Sequence, residues 1–297
     1  MRINCFYFFL YVLISLQQQH LFGADANTAS SCTTGNFSLP FSQQPSPLLS
    51  FGENILGRNQ AQVLFFGDDF IDEDQHFVDL IPQILYGITD SFSVFFNLPI
   101  AASYKANQNH SSGLEDLFVQ FEYALFTGQY PCAVDQVTLV FNTSFPTGST
   151  QKKPTTGFGA VAYFVGTTYN RTWENWYVFT SYGAELPMSH QGTQFGNQFL
   201  YQFGFGRNIA TPKGWILAWM TEITGTFSAR NQIQGKTDPN SGGNVVYLTP
   251  SFWASSTDWI LQIGFGFAVQ QNLFGIQNRD KYLLGFNFVR TFGGKSE

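Results

Sequence analysis

Apolar residues recur at every second position over much of the chain. Between Trp259 and Gln270, one alternate set carries large apolar side chains, whereas the intervening set is mostly glycine, alanine or glutamine. Successive side chains of a β-strand point to opposite faces of its sheet, so this period of two is typical of strands. We therefore predict a strand here with one bulky apolar face and one small or polar face.

The same alternation predicts about twelve strands. Each has the length of roughly ten residues that a strand needs to cross a bilayer. Long polar links largely alternate with short ones, as extracellular loops and periplasmic turns do in even-stranded barrels. The predicted strands cover 60–71, 76–88, 91–102, 113–126, 135–146, 156–168, 174–187, 195–207, 214–228, 243–253, 257–271 and 280–292.

The polar face of these strands carries few charges. Only 11% of the 297 residues are charged and 18% are aromatic, including 34 Phe, whereas soluble chains average about 25% charged residues. A secreted soluble β-protein would also alternate, but charged side chains would cover its outer face. We favour an all-β, transmembrane, antiparallel up-and-down β-barrel of about 12 strands over residues 59–292, followed by a tail at 293–297.

The N-terminus is typical of a secretory signal peptide. Arg2 precedes an apolar run at 5–16, which is shorter than the ~20 residues of a membrane helix. We predict a signal peptide at 1–26 and location in the outer membrane of a Gram-negative bacterium. Residues 27–58, rich in Ser, Gln and Pro, are predicted to form a periplasmic N-terminal extension.

Two cysteines remain after the predicted signal peptide. Cys32 and Cys132 could form a disulfide in an oxidising periplasm, or both could stay free thiols. The sequence leaves these alternatives open.

Four short motifs occur in an order that resembles a known family of outer-membrane proteins. They are LYGITDSFSV at 85–94 with Leu98-Pro99, GLEDL at 113–117 leading into EYAL at 122–125, FPTG at 145–148, and YLTPS at 247–251. The family is named after the meta-pathway of phenol degradation. Its members are regarded as transporters, so the resemblance implies a transport role without catalytic residues. Glu115 and Glu122 depart from the family pattern, which has Gly and commonly Lys there, so the charge of the lumen can differ.

Strand parity assigns several polar side chains to the barrel lumen. Carboxylates there would favour cations or hydrogen-bonding solutes, although they could also pair with lumen cations or be hydrated. Lumen-parity Phe118, Tyr177 and Phe179 indicate a narrow or partly filled interior. The lumen-lining candidates are Asp116, Glu122, Glu185, Gln202, Glu222 and Gln262.

Other chemistry has weaker support. The acidic run DDFIDED at 68–74 lacks the spacing of a calcium loop and is interpreted as a solvated charge run. The net charge of −6 argues against a nucleic-acid partner. His76, His110 and His190 lie outside any serine-hydrolase motif, and no cofactor, metal or catalytic pattern is present.

We therefore expect a non-enzymatic passive channel or transporter for a small solute, for which a hydrophobic or aromatic molecule is one candidate. A structural or adhesive surface barrel is the first alternative, and an outer-membrane lipid hydrolase is the second. The expected partners are outer-membrane lipid, the solute and the barrel-assembly machinery. The last strand would present its terminal signal to that machinery through Tyr282, Phe286, Phe288 and Phe292.

Overall fold

The computed structural model describes residues 32–52 and 55–293, which are mostly β-strand. The predicted signal peptide at 1–26 lies outside the described residues, as does most of the C-terminal tail. None of the helices in the described ranges is long and apolar enough to cross a membrane. Two short 3₁₀ helices, Gly35–Ser38 and Phe41–Gln43, precede the first strand.

Seventeen strands follow in the described part of the chain. They are β1 (Ala61–Asp72), β2 (Gln75–Thr89), β3 (Phe92–Asn97), β4 (Ile100–Ala106), β5 (Asn109–Leu114), β6 (Phe118–Tyr130), β7 (Ala133–Ser144), β8 (Ala162–Trp173), β9 (Trp176–Pro187), β10 (Thr193–Gln194), β11 (Gln198–Ala210), β12 (Trp215–Ser228), β13 (Gln232–Ile233), β14 (Lys236–Thr237), β15 (Gly243–Ser256), β16 (Trp259–Leu273) and β17 (Asp280–Phe292).

The sheet closes on itself because β1 pairs antiparallel with both β2 and β17. β3 and β4 pair with successive parts of β2, and β6 and β5 pair in turn with β3 and β4. The β3–β4 and β5–β6 pairs therefore each act as one interrupted strand of the wall. This arrangement gives a closed antiparallel barrel of twelve wall strands, and the predicted fold is confirmed.

The two rims of the barrel differ in the length of their links. One rim, the turn end, carries links of two to four residues at 90–91, 131–132, 174–175, 211–214 and 257–258. The opposite rim, the loop end, carries the links 145–161, 188–197 and 229–242, part of which forms the small sheet of β10, β13 and β14. In outer-membrane barrels the rim with short turns faces the periplasm.

Two details of the predicted strands are wrong. The stretch 103–112, predicted as a loop, is mostly the β4–β5 hairpin, which lengthens the wall at the loop end. The strand predicted from residue 156 begins only at Ala162. The residues before it instead belong to the 145–161 loop. The carboxylate of Asp116, which lies outside this loop, accepts hydrogen bonds from the backbone N–H groups of Gly148 and Phe158 within it.

Large apolar side chains cover the outer face of the wall. This face is continuous around the barrel, and its residues keep much of their surface exposed although most are Phe, Leu, Ile or Val. Such a band suits contact with lipid and would be unusual on a soluble protein. Representative members are Val63, Ile84, Phe96, Phe121, Leu139, Val165, Phe203, Ile223, Phe252, Ile263, Phe267 and Phe288.

The N-terminal segment lies inside the barrel. Side chains of the inner wall contact it from Asn36 to Leu56, and it then returns to the turn end to enter β1 at Ala61. We call residues 36–56 the plug, of which 53 and 54 are outside the described residues. The sequence predicts a periplasmic extension for 27–58, but the described part of this segment lies mainly in the lumen. There it finds apolar and hydrogen-bonding partners on the inner wall, which it would lack in solvent.

Candidate functional site: a plugged lumen

A disulfide fixes the chain just before the plug at the turn end. Cys32 is bonded to Cys132, which lies in the two-residue turn between β6 and β7. Nearby, the backbone N–H of Asn36 donates to the carbonyl of Glu174 at 2.6 Å, and its side-chain amide donates to the carbonyl of Trp173 at 2.8 Å. The first residues of the plug are therefore held by two separate turns of the rim.

An apolar cluster fills the lumen next to this rim. Leu39 and Leu56, from the two limbs of the plug, pack among inward-facing side chains of seven wall strands. Removal of this surface from water stabilises the closed arrangement by roughly 25 cal/mol per Å². The wall members of the cluster are Leu64, Leu85, Phe95, Ile216, Ala218, Trp253, Ile260 and Val289.

Gln43 links the plug to the seam where the barrel closes. Its side-chain amide donates to the hydroxyl of Thr291 at 2.6 Å, and its backbone carbonyl accepts from the hydroxyl of Ser255 at 2.7 Å. The amide of Gln62 in β1 donates to both Thr291 and the carbonyl of Ser42, at 3.0 and 3.1 Å. Three wall strands thus share one hydrogen-bond network with the plug.

Glu222 holds the centre of the plug. One carboxylate oxygen accepts from the backbone N–H of Leu48 at 2.6 Å and the other from that of Leu49 at 3.0 Å. Glu222 is fully buried, and hydrogen bonds to a charged acceptor are stronger than neutral ones. On either side of it, the side-chain amides of Gln262 and Gln202 donate to the carbonyls of Ser46 and Leu49 at 3.2 and 3.5 Å.

Two pairs of glycines form notches in the inner wall that receive plug side chains. Gly264 and Gly285 face each other across β16 and β17, and a Cβ on them would lie 2.5 and 3.2 Å from Cδ2 of Leu48. Across β8 and β9 another pair, Gly166 and Gly183, lies under the ring of Phe51 in the same way, at 2.6 and 2.9 Å. The ring also meets Phe164 edge to face, with 4.6 Å between centroids.

The far limb of the plug turns at Gly52. This residue has φ +84°, and a Cβ there would lie 2.6 Å from both Oγ1 of Thr168 and Cγ2 of Val140. The hydroxyl of Thr168 also donates to the carbonyl of Phe51 at 2.8 Å. The turn therefore requires glycine both for its backbone conformation and for the space available.

The predicted lumen residues thus have different surroundings. Glu222, Gln202 and Gln262 bind the plug, and the fully buried Glu122 accepts from the amide of Gln120 at 2.6 Å. Glu185 is half-buried and lines a cavity at the loop end. Asp116 lies between β5 and β6, outside the wall strands, where it organises the 145–161 loop.

Above the plug, towards the loop end, the lumen contains a cavity of about 560 Å³. A second cavity of about 450 Å³ shares Phe70 with it. Among the described residues that line them, carboxylates occur but no lysine or arginine. The carboxylates are Asp68, Asp79, Glu185, Asp238 and Asp280, and the aromatic residues are Phe70, Phe77, Tyr104, Phe158, Phe195 and Tyr247.

The acidic run at 68–74 has mixed roles. Asp72 accepts from the backbone N–H groups of Asp74 and Gln75, which closes the β1–β2 turn. Asp69 lies 2.6 Å from Nε2 of His76, and Asp68 is directly opposite Asp79 in the β1–β2 register. The run therefore serves partly as a turn cap and partly as lining of the cavities.

Metal and nucleophile geometry give little support to other chemistry in the described residues. Cys32, Cys132 and Glu174 lie close enough together to hold a metal ion, but the two sulfur atoms are bonded to each other. His110 lies 3.4 Å from the hydroxyl of Ser103 at an exposed position. Within the described ranges no carboxylate contacts the imidazole of His110, so this pair lacks the orienting group of a hydrolytic triad.

No family model matches the sequence, and neither does any curated protein. Solved structures do match the fold. One is the structure of an outer membrane channel from Pseudomonas putida F1, with a TM-score of 0.69 and 15% sequence identity. The alignment covers 84% of this chain and 99% of the channel's chain. The NanC porin aligns with 77% of this chain and 98% of its own, with a TM-score of 0.47 and 10% identity. The chain has the fold of a twelve-stranded outer-membrane β-barrel.

Proposed function

We propose that the protein is an outer-membrane channel for a small solute, which passes when the plug is displaced. The observation that carries this proposal is the division of the lumen into two parts. A lined cavity occupies the loop-end part, and the plug fills the turn-end part. A purely structural barrel has no need of a cavity above a segment held by specific contacts.

The lining of the cavity indicates the kind of solute. A volume of about 560 Å³ lies in the range of roughly 300–1,000 Å³ that holds small molecules. Aromatic walls favour a compact apolar or aromatic body. The carboxylates favour positive charge or hydrogen-bond donors and disfavour anions. We therefore propose a small solute with an aromatic or apolar body, which can also carry an amine or hydroxyl donor.

The exterior supports the proposed location. The apolar outer band matches lipid, and the turn end would face the periplasm. We also retain as a proposal that β17 carries the assembly signal, because its outward-facing Tyr282, Phe286, Phe288 and Phe292 remain exposed beside the β1 seam. The resemblance to the phenol meta-pathway family agrees with transport of an aromatic compound.

Removal of the plug tests the channel directly. A variant lacking residues 36–52, made in a Cys32→Ser/Cys132→Ser background, should show large and stable current steps in planar bilayers. The double cysteine variant with its plug intact is the matched control and should show smaller or rarer steps. Swelling of liposomes with aromatic amines, neutral aromatics and aromatic acids would then rank the solutes. Absence of current and swelling in both variants would refute a channel and favour the adhesive alternative.

A further inference from the structure

Both ends of the plug are attached covalently to the same rim. Downstream of the plug the chain continues into β1 at Ala61, and upstream of the plug Cys32 is bonded to Cys132 in the β6–β7 turn. The chain between them is therefore a closed loop that enters and leaves the lumen at the turn end. A segment joined at two points remains at high local concentration near its site, whereas one joined at a single point can move much farther.

The noncovalent contacts are exposed near the disulfide and buried deeper in the lumen. The contacts at the disulfide itself are solvent-accessible, as for the 2.7 Å hydrogen bond from the hydroxyl of Thr34 to the carboxylate of Glu174. The contacts deeper in the lumen, such as those of Glu222 with Leu48 and Leu49, are buried. The disulfide is thus placed where a reductant at the rim could reach it, next to the limb that must move first.

We propose that this disulfide is a redox-sensitive latch on the plug, and that its reduction favours the open channel. The inference rests on the proposed channel function. The reductant would be a dithiol, either a small molecule or a protein, at the turn end. Its first thiolate attacks one sulfur of the disulfide, and the other cysteine leaves as a thiolate and takes up a proton. Its second thiol then resolves the mixed disulfide, so the dithiol is oxidised by two electrons and both cysteines are reduced.

Reduction leaves the upstream limb held only by its hydrogen bonds and apolar contacts. Residues 32–52 can then withdraw towards the turn end about a single attachment at β1. With the disulfide intact, both ends of this segment stay attached to the rim, so it can leave the lumen only as a closed loop. Opening should therefore be more frequent in the reduced protein without any change in the wall.

The test uses the full mature protein in detergent and in planar bilayers, before and after treatment with dithiothreitol. Thiol labelling would verify the redox state. We expect amide hydrogen exchange of the 44–52 region to become at least tenfold faster on reduction and the open probability to rise by a similar factor. The Cys32→Ser/Cys132→Ser variant should behave as the reduced protein and should not respond to dithiothreitol.

The outcomes separate this inference from the proposed channel. Unchanged hydrogen exchange in verified reduced protein would overturn the latch, whether or not current is observed. If the plug-deleted variant conducts but dithiothreitol changes neither exchange nor current, the channel stands and the latch is wrong. Faster exchange on reduction, without current in any variant, would support a releasable plug and refute the channel.

Discussion

Glu222 and Leu48 are separated by 174 positions in the sequence, yet the carboxylate of the first accepts the backbone N–H of the second at 2.6 Å in the centre of the barrel. This contact joins the plug to β12 at a fully buried position. Because Leu49 donates to the other oxygen of the same carboxylate, Glu222 is the residue whose loss should most directly free the plug.

Replacement of Glu222 should increase plug release in proportion to the hydrogen bonds lost. Glu222→Ala leaves the backbone N–H groups of Leu48 and Leu49 without this acceptor, which should cost the closed state about 2–4 kcal/mol. Glu222→Gln keeps one acceptor oxygen and should cost about 1–2 kcal/mol. Hydrogen exchange at Leu48 and Leu49 would measure both effects. The matched control is Glu185→Gln, which lies above the plug and should leave exchange there unchanged.

Filling a glycine notch should displace the plug, and a smaller plug side chain should compensate. The nearest atoms to a Cβ on Gly285 belong to Leu48 and Leu49 of the plug, so Gly285→Val should destabilise the closed state by roughly 1–3 kcal/mol through overpacking. Adding Leu48→Ala should recover part of this loss. A double-mutant cycle on plug protection would measure the coupling, and strict additivity would mean that the notch does not hold Leu48.

The turn at Gly52 should tolerate no side chain. Gly52→Ala forces an alanine to adopt the left-handed backbone conformation, at a cost of about 1–2 kcal/mol. Its Cβ would also lie too close to Thr168 and Val140. We expect faster exchange across the plug tip, with an unchanged barrel circular dichroism spectrum. Gly57→Ala is the control, because the nearest atoms to its Cβ belong to the Gln60 side chain and its φ is not positive.

The cavity carboxylates should set ion preference once the plug is released. In the plug-deleted variant we expect reversal potentials that indicate preference for cations, and Glu185→Lys should reduce or reverse that preference. Glu73→Lys makes the same charge change at an exposed position at the loop end, outside the cavity linings, and should have a smaller effect. Equal shifts for both variants would mean that overall charge, rather than the cavity, sets the selectivity.

A charge on the outer face should destabilise the barrel according to its depth. Ile263 lies within β16 and points outwards, so Ile263→Arg should cost about 2–4 kcal/mol in lipid. Phe292→Arg lies at the end of the last strand, near the interface, and should cost about 0–1 kcal/mol. Urea unfolding in liposomes would compare them, and equal costs would argue against the proposed position of the bilayer.

The wall could be predicted from sequence because the side chains of each strand alternate between the lipid face and the lumen face. Alternation in segments such as 257–271 depends only on neighbours two positions apart, so the closed twelve-stranded barrel followed from local patterns. The plug could not be predicted in the same way. Its side chains, such as Leu48 and Phe51, are bound by glycines and amides distributed over strands far away in sequence, and residues 27–58 have no periodicity.

Some signals of the plug were nevertheless present. Strand parity predicts lumen positions for Glu222, Gln202 and Gln262 and suggests a solute as their partner, whereas in the structure these side chains hydrogen-bond the plug. Lumen-parity Tyr177 and Phe179 indicated a partly filled interior, and both are buried. Backbone donors as partners leave no trace in the sequence, since every residue except proline supplies one.

The plug also changes how the barrel holds together. Ser93 on β3 and Glu222 on β12 lie on opposite sides of the ring of wall strands, and those strands never pair with each other. Both accept backbone N–H groups of the plug, from Leu56 and Leu48 respectively. An empty barrel transmits forces only around its circumference, from neighbour to neighbour. In this barrel the plug also connects opposite sides of the wall through hydrogen bonds, so a displacement of one side acts on the other through the plug as well.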